Sequence, residues 1–213
     1  MTNNYFVKLL DDSISYDNKL FYFIVMEYIG SNLEKEFNNN RIVRDNDIRK
    51  IMLQLLNGIK FMKEKEIIHR DLKLNNILLD IKDFNTYNYT IKIADFGCST
   101  EGTLFSTNEV GTRLYQAPEL LFDNKKKEKK NEKVDVWSLG IIAYLFEQKK
   151  YPFKDANEIM TKSLDDYTKK KTNFLGQIIF ESLNKDNESR IDWDYFFESD
   201  YFKQFNEKNL KKI

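Results

Sequence analysis

Three short motifs, in a fixed order and spacing, constrain the fold of this chain more than any other feature. They read HRDLKLNN at residues 69–76, DFG at residues 95–97 and APE at residues 117–119. The aspartates of the first two motifs are 24 residues apart, which leaves room for one β-hairpin, and APE begins 22 residues after the DFG aspartate. A single Asp in a chain with 34 acidic residues is more often a surface charge than a functional group. Agreement of all three motifs by chance is improbable.

Composition points to one folded domain without a nucleic-acid or membrane partner. The chain has 213 residues and is 41% hydrophobic, which is enough for one core. Its 34 Lys and Arg residues balance 34 Asp and Glu residues, so no overall field attracts nucleic acid or an anionic membrane. Cys98 is the single cysteine, and no signal peptide is evident. No apolar run approaches the roughly 20 residues that span a bilayer, so we expect a soluble protein of the cytoplasm, with the nucleus as an open alternative.

Local patterns predict two β-hairpins. Residues 5–10 and Leu20–Met26 are rich in aromatic and branched side chains and flank a polar segment, which is typical of a hairpin. Short apolar runs at residues 77–79 and 91–94 flank a second polar segment, so a second hairpin is predicted there.

A helical pattern occupies the chain between the two hairpins and most of its second half. Apolar residues recur at steps of three and four from Ile48 to Met62, which indicates one buried helical face. Asp45 is the candidate N-cap of this helix. Further helices are predicted at residues 134–148, 157–167 and 173–183 and from Trp193 onward.

The three motifs and their surroundings resemble the eukaryotic protein kinase family, of the Ser/Thr type. The resemblance implies an α+β fold with a mostly helical C-terminal lobe and a residual β-hairpin of the N-terminal lobe. We expect residues 1–213 to form one kinase domain, with residues 1–27 as a remnant of the N-terminal lobe and residues 28–213 as hinge and C-terminal lobe. No Gly-rich phosphate loop and no VAIK-like strand precede the hinge, so we expect the domain to be incomplete at its N-terminus.

The resemblance assigns catalytic roles to four residues and implies ATP and Mg²⁺ as cofactors. Asp71 would be the base that accepts the proton of the substrate hydroxyl. Lys73 would contact the transferring phosphate, as in Ser/Thr kinases. Asn76 and Asp95 would bind magnesium, which prefers hard oxygen donors.

The resemblance also places an adenine pocket. Met26 would lie at its back, Leu78 would form its floor, and the backbone of Glu27 and Tyr28 would hydrogen-bond the adenine edge. A plain core role for Met26 and Leu78 is equally compatible with the sequence.

Regulatory positions follow from the segment between DFG and APE. A phosphate there could order the segment by pairing with an arginine, and Arg70 is the expected receptor. Thr107 is the candidate phosphorylation site. Thr112 resembles the threonine that contacts the catalytic base and lysine.

Three further residues, Glu119, Asp135 and Arg190, resemble the structural supports of a kinase. Arg190 would pair with Glu119 of the APE motif. Asp135 would fix the catalytic loop through backbone amides, and its alternative is an ordinary helix N-cap. His69 is expected to pack beside Phe96 rather than to titrate.

Two functions remain open at this stage. The first is a protein serine/threonine kinase that transfers the ATP γ-phosphoryl group to hydroxyls of protein substrates. The second is a non-catalytic truncated kinase that acts as a binding or regulatory module, with another protein covering the apolar side chains of the first hairpin. The lysine-rich run at residues 124–133 is expected to be a solvated loop, and a docking patch for an acidic partner is its alternative.

Overall fold

The computed structural model describes residues 4–16, 20–42, 44–83, 85, 88–99, 113–122, 132–164, 174–200 and 202–203. Two compact units make up the chain. The first comprises Met1–Ile59 and Leu74–Ala94, and the second comprises Lys60–Lys73 and Asp95–Ile213. No helix within the described ranges is both long and apolar enough to cross a membrane.

The second strand of the first hairpin is confirmed with its predicted bounds, but the first strand begins later than predicted. Strands β1 (Leu9–Tyr16) and β2 (Leu20–Met26) pair antiparallel, with Leu9 opposite Met26. The predicted strand at residues 5–10 is wrong because its first half pairs elsewhere. The Val7 N–H donates to Ile93 O at 3.1 Å, and the Ile93 N–H donates to Tyr5 O at 2.7 Å.

The second hairpin is confirmed, and it lies against a long helix of the same unit. Strands β3 (Ile77–Asp83) and β4 (Asn88–Ile93) pair antiparallel, and alternate residues of β4 are buried. Helix α1 (Leu33–Asn38) was not predicted, because six residues are too few for a periodic pattern. Helix α2 spans Asp45–Glu64 and belongs to the first unit up to Ile59.

Polar contacts fix α2 to β4. The Gln54 Oε1 accepts a hydrogen bond from the Ile91 N–H at 3.0 Å, and the Tyr89 hydroxyl donates to Asp47 Oδ1 at 2.9 Å. Asp45 is the first helical residue rather than the predicted cap, because the carbonyl of Arg44 already accepts from the amides of the first turn. The Arg44 guanidinium in turn donates to the Asp47 carboxylate at 2.6 and 3.1 Å.

Helix α2 ends shortly before the HRD motif. Its C-terminal turn lacks the glycine that is common at this position. The Ile67 N–H donates to Met62 O at 2.9 Å and the Glu66 N–H donates to Lys63 O at 2.9 Å, which is the Schellman pattern. Glu66 therefore has a left-handed backbone, with φ of +57°. A residue with a Cβ is strained in this conformation.

Replacing Glu66 by Gly is expected to raise the free energy of unfolding by about 0.5–1 kcal/mol, because glycine adopts the left-handed backbone without strain. Urea denaturation would measure the change. The matched control is Glu64→Gly at the last helical position, where φ is not positive. The control is expected to destabilise the chain, since glycine is a poor helix former. A loss of stability in both variants would contradict the prediction.

Within the described ranges, the second unit contains five further α-helices. They are α3 (Pro118–Phe122), α4 (Lys133–Gln148), α5 (Ala156–Thr161), α6 (Phe174–Ser182) and α7 (Trp193–Glu198). Helix α4 is buried from Val134 to Phe146, and α6 packs closely on it. A Cβ added to Gly140 would lie only 2.8 Å from the Ser182 Cβ.

The helix predictions for α4, α6 and the start of α7 are confirmed to within a residue or two. The prediction of a helix over residues 157–167 is wrong at its C-terminal end, because α5 stops at Thr161. Lys162 has an extended backbone, so the chain leaves the helix axis at this residue. The Lys162 ammonium donates to Pro152 O at 2.6 Å. Residues 165–173 lie outside the described ranges.

Candidate active site

The buried carboxylate of Asp135 binds the backbone of the HRD segment. Asp135, the third residue of α4, accepts hydrogen bonds from the His69 N–H at 2.7 Å and from the Arg70 N–H at 2.8 Å. Burial raises the pKa of Asp135, and the hydrogen bonds from these two amides oppose that effect. Because Asp135 lies inside the helix and points at a distant loop, it is not an N-cap of α4.

Backbone and ring contacts fix the conformation of the HRD segment. Arg70 has a left-handed backbone with φ of +66°. The His69 ring is fully buried, lies 4.8 Å from the Phe96 ring and accepts from the Asp71 N–H through Nδ1 at 3.3 Å. The predicted packing of His69 beside Phe96 is confirmed.

Asp71 and Lys73 form an ion pair on this loop. The Lys73 Nζ lies 2.9 Å from Asp71 Oδ2, and the two side chains are only 12% and 7% exposed. A proton acceptor thus lies beside a positive charge in a largely buried setting. This combination suits the transfer of an anionic group to a hydroxyl.

The DFG aspartate lies at a tight turn. Asp95 has a left-handed backbone with φ of +64°, and its exposed carboxylate accepts weakly from the Gly97 N–H at 3.4 Å. An exposed carboxylate with a single weak hydrogen bond from the protein fits the hard oxygen ligands that magnesium prefers.

Cys98 lies within the electrostatic influence of both acids, a feature that sequence reasoning did not assign. Burial is the largest influence and raises the pKa of its thiol, and the charges of Asp71 and Asp95 raise it further. Cys98 is therefore a neutral thiol rather than a nucleophile.

The APE motif is fixed by a buried arginine. Arg190 donates to both carboxylate oxygens of Glu119, at 2.7 and 3.0 Å, and also to Lys133 O and Asn184 O. The guanidinium lies 5.1 Å from the Trp137 ring centroid. This network joins three distant segments of the second unit.

The first unit provides the other predicted site residues. Asn76 is buried at the end of the 3₁₀ turn Leu74–Asn76, and its carbonyl accepts from the Ala94 N–H at 2.9 Å. Its side-chain amide oxygen is also a hard donor that fits magnesium. Leu78, on β3, is partly exposed.

The predicted hinge residues have no core character. Met26 is 53% exposed at the end of β2, and Tyr28 is 90% exposed. A plain core role for Met26 is therefore excluded. Exposure of large apolar side chains on the first hairpin is confirmed for Leu9 and Phe23.

Sequence reasoning missed two polar contacts near these residues. The Asn32 Nδ2 donates to Asn75 Oδ1 at 2.7 Å, and the Lys92 ammonium donates to Glu27 Oε1 at 2.5 Å. For these contacts the sequence could show only that Lys92 alternates with apolar residues along a predicted strand. It could not show that Glu27 is the partner of Lys92. Thr107 and Thr112 lie outside the described residues, as does the lysine-rich run up to residue 131.

The chain belongs to the protein kinase family. The family model described as "Protein kinase domain" matches residues 3–212. The α+β kinase fold expected from the sequence is thereby confirmed.

Several characterised kinases are similar to the chain. Calcium-dependent protein kinase 4 of Plasmodium falciparum is 36% identical over 144 residues, which cover 67% of this chain and 26% of that protein. Serine/threonine-protein kinase SAPK1 of Oryza sativa is 37% identical over 139 residues, which cover 63% of this chain and 38% of that protein. Serine/threonine-protein kinase atg1 of Dictyostelium discoideum is 29% identical over 213 residues, which cover 96% of this chain and 31% of that protein. The chain therefore spans less than two fifths of the length of these relatives.

Proposed function

We propose that this chain carries the catalytic residues of an ATP- and Mg²⁺-dependent protein serine/threonine kinase. The observation that supports this most directly is the Asp71–Lys73 ion pair at 2.9 Å, on a loop held by two amide hydrogen bonds to Asp135. Named Ser/Thr kinases among the relatives support the same class. The proposed domain covers residues 1–213, with residues 1–27 belonging to the N-terminal lobe.

In this proposal each residue has a defined task. The Asp71 carboxylate orients a Ser or Thr hydroxyl of the protein substrate and accepts its proton, and Lys73 offsets the charge on the phosphoryl oxygens. Asn76 and Asp95 would hold Mg²⁺, which neutralises charge on the ATP phosphates when it is bound. Leu78, Met26 and the backbone of Glu27 and Tyr28 would form the adenine site.

Regulation by phosphorylation is part of the same proposal. A phosphate on Thr107 would pair with Arg70 and order the segment before APE, because a dianionic phosphate forms strong hydrogen bonds with a guanidinium. Thr112 would contact Asp71 and Lys73.

The second candidate is a non-catalytic binding or regulatory module. It is favoured by the exposed apolar side chains of β1 and β2.

Asp95→Asn distinguishes the two functions. Transfer of the γ-phosphate of labelled ATP to Ser and Thr of a general protein substrate is expected to fall about a hundredfold or more in this variant, because an amide is a weaker Mg²⁺ ligand than a carboxylate. The matched control is Asp155→Asn, since Asn remains an effective N-cap for α5. Unchanged transfer or unchanged cellular phenotype in Asp95→Asn would rule out the kinase function for this polypeptide.

The substrate is expected to lack a strong requirement for Arg upstream of the phosphorylated residue. Kinases that prefer basic substrates often carry acids at two positions that here hold Asn75 and Leu145. Asn75 is uncharged, and its Oδ1 already accepts from Asn32. A positional peptide array would test this, and dominance of Arg in that array would contradict it.

A further inference from the structure

The Glu27 carboxylate is the meeting point of three segments of the first unit. Its Oε1 accepts from the Lys92 ammonium at 2.5 Å and from the Lys8 N–H at 2.8 Å. The Glu27 N–H donates in return to Lys8 O at 2.9 Å. The hydrogen bond from Lys92 is the largest influence on the pKa of Glu27, and it lowers this pKa, which favours the charged carboxylate.

Lys92 is placed on the face of the second hairpin that carries Leu78. It lies directly opposite Leu78 in the β3–β4 register, so both side chains project from the same face. Its neighbours Ile91 and Ile93 are fully buried on the other face. The Lys92 side chain is itself only 15% exposed, which shows that its stem is packed while its ammonium reaches Glu27.

The two residues on either side of Glu27 have little packing of their own. Met26 is more than half exposed, and Tyr28 is almost fully exposed. An isolated two-stranded hairpin is marginal in water. Side-chain bonds at the base of the β1–β2 hairpin are therefore expected to decide how well the hinge backbone is held.

We infer that Lys92 is a positioning residue for the hinge, since it holds the Glu27 carboxylate and thereby the backbone of Glu27 and Tyr28. The inference deepens the proposed function, because it depends on that function for the role of the hinge in binding adenine. Lys92 does not touch the reacting groups in this scheme. It acts through Glu27.

Hydrogen exchange of residues 26–30, read by mass spectrometry on the full chain, tests the inference without requiring activity. Lys92→Met keeps the packed stem and removes the charge, and exchange in this segment is expected to become about three- to tenfold faster. Lys92→Arg keeps a charged donor and is expected to restore slow exchange. The matched control is Lys82→Met on the same hairpin, where the ion pair with Asp80 is largely exposed.

Nucleotide binding provides the second readout. Titration with ATP and Mg²⁺ is expected to show affinity about three- to tenfold weaker in Lys92→Met, with the unfolding midpoint near that of the wild type. Glu27→Gln should have a similar effect, and the double variant should be no worse than either single one, because both act through one contact.

The outcomes separate the inference from the proposed function. Unchanged exchange of residues 26–30 in Lys92→Met would overturn the inference, as would full additivity of the two substitutions. If the wild type binds no nucleotide while Lys92→Met still speeds exchange, the hinge-positioning role stands and the proposed kinase function fails for this polypeptide.

Discussion

Replacing Asp71 by Asn is expected to lower kcat/KM for protein phosphorylation about 100- to 10,000-fold, the range typical of a lost general base. The amide keeps the size of the side chain but cannot accept the proton of the hydroxyl. Most of the loss should appear in kcat, because the carboxylate acts in the chemical step rather than in ATP binding. Steady-state kinetics with varied ATP and varied protein substrate would measure both parameters.

Two further variants show whether Asp71 and Lys73 act as a unit. Lys73→Met is expected to lower kcat as well, since it removes the charge 2.9 Å from the base. The Asp71→Asn/Lys73→Met double variant should lose less than the product of the single losses, because residues that act together in one step are not additive. Asp80→Asn, in an exposed pair on β3, is the control and should retain activity. Activity of Asp71→Asn within a few-fold of wild type would show that Asp71 is not the base.

Replacing Arg190 by Met is expected to lower the free energy of unfolding by about 3–5 kcal/mol, the typical cost of breaking a buried ion pair. The Arg190 side chain is completely buried, and its loss leaves Glu119 and two backbone carbonyls without their donor. Met fills part of the volume, so the loss reports mainly on the polar network.

Urea denaturation followed by tryptophan fluorescence would measure this change. Both tryptophans of the chain, Trp137 and Trp193, are buried in the second unit, so the signal reports on that unit. Far-ultraviolet circular dichroism should give the same midpoint. Lys154→Met is the matched control, because its contact with Glu158 is 3.9 Å long and its side chain is exposed. Equal stability of the Arg190 variant and this control would show that the buried network contributes little.

Elements with a strong local pattern could be predicted from the sequence. The second hairpin, α2 and α4 have apolar residues at regular steps, and the structure places them within a few residues of the predictions. Helix α1 and the ends of α2 were harder to predict from the sequence, because short helices and helix caps depend on single side chains. The turn at Glu66 lacked its usual glycine, so nothing in the sequence marked the left-handed residue.

The first hairpin shows why local patterns fail. Residues 5–7 have the composition of a strand, but their hydrogen bonds go to Ile93 on β4 rather than to β2. The pattern identifies residues that suit a strand. It does not identify the partner strand, because backbone hydrogen bonds between distant segments depend on how the chain closes.

The sequence by itself indicated the family, and the match of the protein kinase model to residues 3–212 confirms it. The catalytic positions that we propose, 71, 73, 76 and 95, follow from the order and spacing of the motifs along the chain. The resemblance also led us to expect that Asp135 would hold the His69 and Arg70 amides and that Arg190 would pair with Glu119, and the structure shows both contacts. Only the tertiary structure revealed the contact of Lys92 with Glu27, across 65 residues, and that of Asn32 with Asn75, across 43. Such contacts leave no periodic signal, because each joins one residue to one distant partner and forms only after the segments between them have folded.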